Sequence, residues 1–341
     1  MRGSLRHSDG VLPAWQVRHI VRLRTADGYE GLGDASPRIA PAALRSAVAG
    51  LVGADPFNLE LIRLRLASEK FYRMDLANVA AAVQTACLDI QGRHTGQPVS
   101  ALLGGRLRDR VPVMGYVFRK IGAGKLPSVT SDADLVGEAR RLVGTYGFGT
   151  LKYKAGALTP EEDLAASIAL LEAFPEHRLR IDPNAAWSLA TALRFAPEYA
   201  ALRPEWLEDP TFGLEGMAEF GRRTSIPTAT NMCCIQPREF PAAVASRAFD
   251  VMLLDLWYLG GPWSARQMGA TCRVFDVGLG VHSGGGSAET GIGLAAEAHL
   301  AASLPGHVHA IDTMNTELTD DIVTAPWSYS GGDLLVPDAP G

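Results

Sequence analysis

From Gly149 to Ser283, short apolar segments keep ending in a polar residue. Thr150-Leu151-Lys152-Tyr153-Lys154 ends in lysine, Leu179-Arg180-Ile181-Asp182 in aspartate and Trp206-Leu207-Glu208 in glutamate. Pro227-Thr228-Ala229-Thr230-Asn231 ends in asparagine, Val251-Met252-Leu253-Leu254-Asp255 in aspartate and Leu279-Gly280-Val281-His282 in histidine. Between them lie stretches with helical apolar spacing, such as Leu164 to Leu171 and Leu189 to Leu202. Strand and helix alternating at this spacing predict parallel strands with crossover helices. So many repeats predict a closed β/α barrel, with its active site at the C-terminal strand ends.

The pattern also orders the flanks. Residues 1–16 read as irregular. Val17 to Thr25 alternates like a strand, Asp27-Gly28 is a hairpin signal, and Tyr29 to Gly33 resumes the strand. Pro41 to Leu66 is helical with a break near Gly53-Pro56, and Ala77 to Gly92 is a second helix, with Gly92 as its stop. Val111 to Phe118 reads as the first barrel strand, a mobile-looking loop runs from Gly122 to Ser131, and Asp132 to Tyr146 is helical. His309 to Asp312 reads as the eighth strand. The expected division is an α+β capping domain over 1–108, the barrel over 109–315, and a tail over 316–341 that packs on the capping domain. The fold class is α/β, a modified TIM-type barrel of (β/α)7β form.

Composition narrows the function. The 341 residues carry a formal net charge of -5, 47% apolar and 20% charged residues. That balance gives no electrostatic case for nucleic acid or an anionic membrane. No apolar run approaches the ~18 residues of a membrane span. The start of the chain lacks an apolar signal core. The four cysteines, Cys87, Cys233, Cys234 and Cys272, form no CxxC pair and read as core thiols of a reduced, cytoplasmic enzyme.

The strand ends carry the candidate chemistry. Asp182, Glu208 and Asn231 end three successive strands, so their oxygens converge above one barrel sector. Oxygen ligands of this kind suit Mg²⁺; helix capping is the alternative reading for Asp182 and Asn231. Glu215 is a possible replacement for Glu208. Lys152 and Lys154 lie two apart and so share a face at the barrel mouth. A lysine beside a cation and a second lysine has its pKa lowered and can act as a base; a solvated charged edge is the alternative. Asp255 and His282 end neighbouring strands, where a carboxylate fixes the imidazole tautomer and raises its basicity. The Gly284-Gly285-Gly286 run after His282 lets backbone approach a ligand closely. Asp250 begins its strand and reads as structural.

This order of residues resembles the enolase superfamily, in its mandelate racemase and muconate lactonizing branch. In the first domain the likeness covers Asp27-Gly28 to Gly33, and Ala86-Cys87-Leu88-Asp89-Ile90-Gln91-Gly92 through Leu102-Leu103-Gly104-Gly105. In the barrel it is most like the glucarate dehydratase group. The matching words are Gly115-Tyr116-Val117-Phe118, Asp182-Pro183-Asn184, Glu208-Asp209-Pro210, Met217-Ala218-Glu219-Phe220, Thr228-Ala229-Thr230-Asn231-Met232 and Ala310-Ile311-Asp312-Thr313. The resemblance implies Mg²⁺ on Asp182, Glu208 and Asn231. It implies Lys154 as a base facing the Asp255–His282 dyad, and Lys152 on the substrate carboxylate. Asn184, Tyr116, Ser283 and Gly284 complete the implied substrate contacts. The implied reaction removes the proton next to a carboxylate of an acid sugar and eliminates the β-hydroxyl, giving a 2-keto-3-deoxy acid. Racemisation or epimerisation on the same residues is the alternative, and a ligand-binding barrel without turnover is a third reading. The resemblance also implies a homo-oligomer.

Departures bear on the substrate. Gly284 and Gly285 stand where that group has asparagines, Met314 where it has a histidine, and Leu12 near its lid histidine. The tail stops before a segment that carries an arginine in that group. The short start leaves the first sheet one strand short and predicts an exposed edge. Glucarate is therefore not the expected substrate, although the chemistry is retained.

Overall fold

The repeats fold as the strand-end pattern predicts. The structure, a computed structural model, describes residues 1–66, 75–282, 288–325 and 327–341. Barrel strands one to seven are Gly115–Val117, Thr150–Lys154, Arg178–Asp182, Trp206–Glu208, Thr228–Thr230, Val251–Asp255 and Gly278–His282. They form one parallel sheet in chain order. Residues 308–312 close it: Val308 bridges Leu279 and Ile311 bridges Val113, both parallel. His309 N donates to Leu279 O (2.9 Å), and Asp312 N to Val281 O (3.0 Å). The result is a (β/α)7β barrel.

Local signals set the crossovers. Helix Asp132–Tyr146 starts in a Ser131–Asp134 capping box and stops at left-handed Gly147 (φ 77°). Helix Pro160–Ala173 starts in a Thr159–Glu162 box, and Leu189–Leu202 from Ser188. Such caps contribute about 1 kcal/mol each. Alternation then turns the last residue of each strand, and the residue two before it, to the same face. Trp206, Ala229, Val251 and Leu253 pack as a separate buried cluster. Gly280 leaves room beside them: a Cβ there would meet Leu253 Cδ2 at 2.5 Å and push that side chain aside.

The capping hairpin, His19–Arg24 with Glu30–Ala35, lies against helix Asp75–Thr95. Cβ atoms on Gly31 and Gly33 would collide with the Ala86 and Ala82 carbonyls at 2.0 and 1.8 Å. Glycine thus lets sheet and helix approach closely. Strand His19–Arg24 has Glu30–Ala35 as its one sheet neighbour among the described residues.

Four expectations are corrected. Residues 1–16 are not irregular: Gly3–His7 and Gly10–Leu12 form a hairpin that pairs with Lys120–Gly122. The stretch Val111 to Phe118 is not one strand. Arg110–Pro112 pairs with the tail strand Asp333–Leu335, and Gly115–Val117 joins the barrel. The Gly122–Ser131 loop is tied by paired Lys120 and Val129 hydrogen bonds of 3.0 and 2.8 Å. Gly92 does not end its helix, which runs to Thr95. It is a close-approach position, where a Cβ would meet Gly341 N at 2.6 Å and Gln97 O at 2.7 Å.

Cys87, Cys234 and Cys272 are buried, and burial pushes each thiol up to about 12. Burial also raises the Cys233 thiol. None is a ready nucleophile. Among the described residues no helix is long and apolar enough to cross a membrane.

Candidate active site

Strands two, three, four and eight bring five charged side chains to one buried point. Lys152 Nζ lies 2.6 Å from Glu208 Oε1, 2.6 Å from Asp312 Oδ2 and 3.1 Å from Asp182 Oδ2. Lys154 Nζ lies 2.7 Å from both Asp182 Oδ2 and Asn184 Oδ1. Tyr116 OH donates to Asp182 Oδ2 at 3.3 Å, and its ring lies 4.9 Å from Lys152 Nζ. Burial alone would lower the Lys152 pKa, but Asp182, Asp312 and Glu208 hold it well above the usual range. Lys152 is therefore an ammonium, suited to a carboxylate. Burial opposes ionisation of Asp182, yet Lys152 and Lys154 outweigh it and keep the carboxyl low.

Asp312 is a site residue for which the sequence reading proposed no role. Its Oδ1 accepts from Arg180 Nη1 at 2.7 Å while its Oδ2 holds Lys152. Arg180 is fully buried, pairs with Glu205 through Nε at 2.7 Å and lies 4.0 Å from the Trp206 ring centroid. One cation thus orients the carboxylate that orients Lys152. Replacing Arg180 by Met removes the buried cation that bridges Asp312 and Glu205, leaving Asp312 to Lys152 and Glu205 to His309. We expect a loss of about 3–5 kcal/mol in urea unfolding. A loss below ~1 kcal/mol would contradict this reading of the pair.

The far side of the mouth holds the dyad. His282 Nδ1 lies 3.1 Å from Asp255 Oδ2. Asp255 Oδ1 accepts from Trp257 N (2.8 Å) and Tyr258 N (3.1 Å), which fixes the carboxylate. Burial would lower the imidazole pKa, but the Asp255 hydrogen bond outweighs it and raises His282 above 6.5. With Nδ1–H given to Asp255, Nε2 accepts from Asn231 Nδ2 at 3.3 Å. Asp209 in turn positions Asn231. Its carboxyl takes Asn231 N (3.2 Å) and Thr230 Oγ1 (2.5 Å), and burial pushes it up to about 8. Asn184, Ala185 and Asp209 have φ of 56°, 56° and 42°. Non-glycine residues in that region concentrate at functional loops.

The capping alternative loses its ground at two positions. Ser188 caps the helix after Asp182, whose Oδ1 instead accepts Asn184 N at 2.9 Å. Asn231 makes no cap bond to the later helices. Glu208 is buried among the strand ends, whereas Glu215 is exposed in the first turn of helix Gly213–Arg223. Asp250 accepts from Thr228 N at 2.8 Å, a structural bond. Ser283 and Gly284 lie outside the described residues, as does the rest of the glycine run.

A cation fits this centre. Glu208 is pushed up to about 7, by burial and then by Asp182. Asp182 and Asp312 have cations of their own in Lys154 and Arg180, which leaves Glu208 with only a share of Lys152. Glu208, His282 and Asp312 form one trio of imidazole and carboxylate donors here, with ligand atoms within 4.8 Å of one another. This differs from the expected Asp182, Glu208 and Asn231, and Glu208 is common to both sets. His282 Nδ1 is committed to Asp255 and Asp312 to Arg180 and Lys152.

The hairpin tip adds His7 and Ser8, for which the sequence reading gave no signal beyond a histidine near the start. Asn184 Nδ2 donates to Ser8 Oγ at 3.1 Å. Burial, then Lys154, lowers His7 from 6.5 to about 4. The folded ring takes up a proton less readily than the unfolded one. Its contribution is therefore complete above pH 6.5 and is lost as pH falls toward 4. Intrinsic-rate-corrected amide exchange in residues 3–12 should quicken across that window; constant protection would refute the coupling.

Comparison with known proteins gives the family. Residues 15–104 match the mandelate racemase / muconate lactonizing enzyme N-terminal domain, and residues 134–341 match the enolase C-terminal domain-like model. A probable glucarate dehydratase of Streptomyces coelicolor is 37% identical, over 99% of this chain and 84% of its own length. The crystal structure of an enolase from Mycobacterium smegmatis complexed with tartrate has a TM-score of 0.93 and 36% identity, covering 100% of this chain and 84% of that one. An enolase from Pseudomonas fluorescens Pf0-1, with bound magnesium, potassium and tartrate, gives 0.91 and 33%, covering 100% and 86%. The chain belongs to the enolase superfamily, in its mandelate racemase and muconate lactonizing branch. It is an enzyme of that superfamily, and within the branch it is glucarate dehydratase-like.

Proposed function

We propose that the protein is a Mg²⁺-dependent acid-sugar dehydratase, a carbon–oxygen lyase. The observation that carries this reading is Lys154 and the Asp255–His282 dyad on strands two and seven, across a mouth whose floor is Lys152 among carboxylates. Asp182, Glu208 and Asn231 would hold the ion, and the magnesium-bound neighbour supports its identity. When bound, the ion neutralises charge developing on the substrate carboxylate. Lys152, an ammonium, takes a carboxylate oxygen and stabilises the same charge.

One of Lys154 and His282 removes the α-proton. The other, protonated, gives its proton to the β-hydroxyl as that carbon–oxygen bond breaks and water leaves. The enol then tautomerises to the 2-keto-3-deoxy acid. Asp255 holds the imidazole in one tautomer, and Tyr116 and Asn184 orient the groups around Lys154. The named dehydratase relative and the tartrate-bound neighbours support a hydroxy-acid substrate.

The test is a panel of mono- and diacid sugars with Mg²⁺, read by a 2-keto acid assay. A keto-acid product is expected from at least one. Return of a proton to the α-carbon without loss of water would instead indicate a racemase.

A further inference from the structure

The dyad is built on a single turn. Asp255 caps helix Leu256–Leu259: the amides of Trp257 and Tyr258 hold its Oδ1, while Oδ2 faces His282. Wherever that turn sits, the carboxylate follows. The Trp257 side chain seats the turn. Its indole is buried, and Nε1 donates at 2.9 Å to the carbonyl oxygen of Asp34, on capping strand Glu30–Ala35.

Asp34 is itself held on both sides. Its carboxylate accepts Arg18 Nε at 2.6 Å, and Thr290 N and Oγ1 at 2.8 Å each, at the start of helix Gly291–Ser303. That helix also closes on the indole. A Cβ on Gly293 would lie 3.0 Å from Trp257 Cζ2 and 3.1 Å from Cη2. The Arg18 guanidinium stands 5.3 Å from the ring centroid. Capping hairpin, barrel helix and dyad thus meet on one residue, its ring on the first two and its backbone amide on Asp255.

We propose that Trp257 is a positioning residue: it ties the Asp255 carboxylate, and His282 through it, to the docked capping domain. Its part in dehydration rests on the dehydratase reading, but its hold on the imidazole can be read without turnover. A carboxylate fixes the imidazole tautomer only when it meets Nδ1–H nearly in line. Misplacing a catalytic group by about 1 Å costs on the order of 10²-fold in rate. A ring that only filled space would cost stability when cut to Phe, yet would leave kcat alone.

The experiment uses the full chain with Mg²⁺ and the acid sugar that the keto-acid panel identifies. Trp257→Phe keeps an aromatic ring and loses the N–H. It is expected to lower kcat ~10–100-fold, with KM within about twofold. Added to His282→Asn, it should cost less than about twofold more, since both act on one imidazole. Gly293→Ala, which crowds the ring and keeps its N–H, should lower kcat at least about threefold. Spectra of ¹⁵N-histidine protein are recorded at alkaline pH, where the ring is neutral, with the His282 signal assigned by its loss in His282→Asn. They should show Nδ1–H alone in the unaltered protein and mixed tautomers in Trp257→Phe. A Trp257→Phe kcat within about twofold of the unaltered protein's, an additive double variant, or an unchanged His282 spectrum would overturn the inference. Mixed tautomers in Trp257→Phe, with no acid sugar turned over by the unaltered protein, would support the tie and overturn the dehydratase reading instead.

Discussion

Lys154→Ala is expected to lower kcat roughly 10³-fold while leaving the fold intact. The fold should survive because Asp182 keeps Lys152 at 3.1 Å when Lys154 is removed. The rate should not, because Lys154 Nζ is the amine that Asp182 and Asn184 hold at the mouth. His282→Asn should cost a similar factor, and the double variant little more than either alone, since base and acid act as a unit. Steady-state rates with circular dichroism decide it. Near-normal turnover by a folded Lys154→Ala protein would remove that lysine from the mechanism.

Asp182→Ala is expected to abolish stabilisation by Mg²⁺. At a hundredfold excess over Kd, an ion that binds only the folded state adds about 2.7 kcal/mol. Thermal unfolding of each protein with and without the ion reads this difference internally, so any loss of baseline stability in the variant cancels. Undiminished stabilisation of the variant would exclude Asp182 as a ligand.

The strand ends were legible because one rule served them all. Period two fixes the face of Lys152 and Lys154, and the β/α spacing brings Asp182, Glu208, Asn231, Asp255 and His282 to the same end. Arg180 obeys the same rule, two residues before Asp182, and an inward-facing guanidinium could have been found by it. Asp312 ends the eighth strand that the same rule marks, but its role was not legible, because its partners Arg180 and Lys152 stand on strands far away in the chain. His7 and Ser8 were not legible. They sit at the end of strand Gly3–His7 and in the turn after it, and that strand pairs with Lys120–Gly122, far along the chain, a partner no local alternation marks. Gly92 misled for a different reason: a glycine that ends a helix and one that admits a neighbouring backbone look alike in sequence.

The central claim is that Lys154 and His282 flank the α-carbon of one hydroxy acid. The most direct test is ¹H NMR of an acid-sugar substrate in D₂O with Mg²⁺, run with the unaltered protein, Lys154→Ala and His282→Asn. The unaltered protein should form the 2-keto-3-deoxy acid. The variant that retains the α-proton base should exchange that proton for deuterium with little loss of water, and the other should do neither. Full elimination by either variant, or α-exchange by neither variant beside normal turnover by the unaltered protein, would contradict the account.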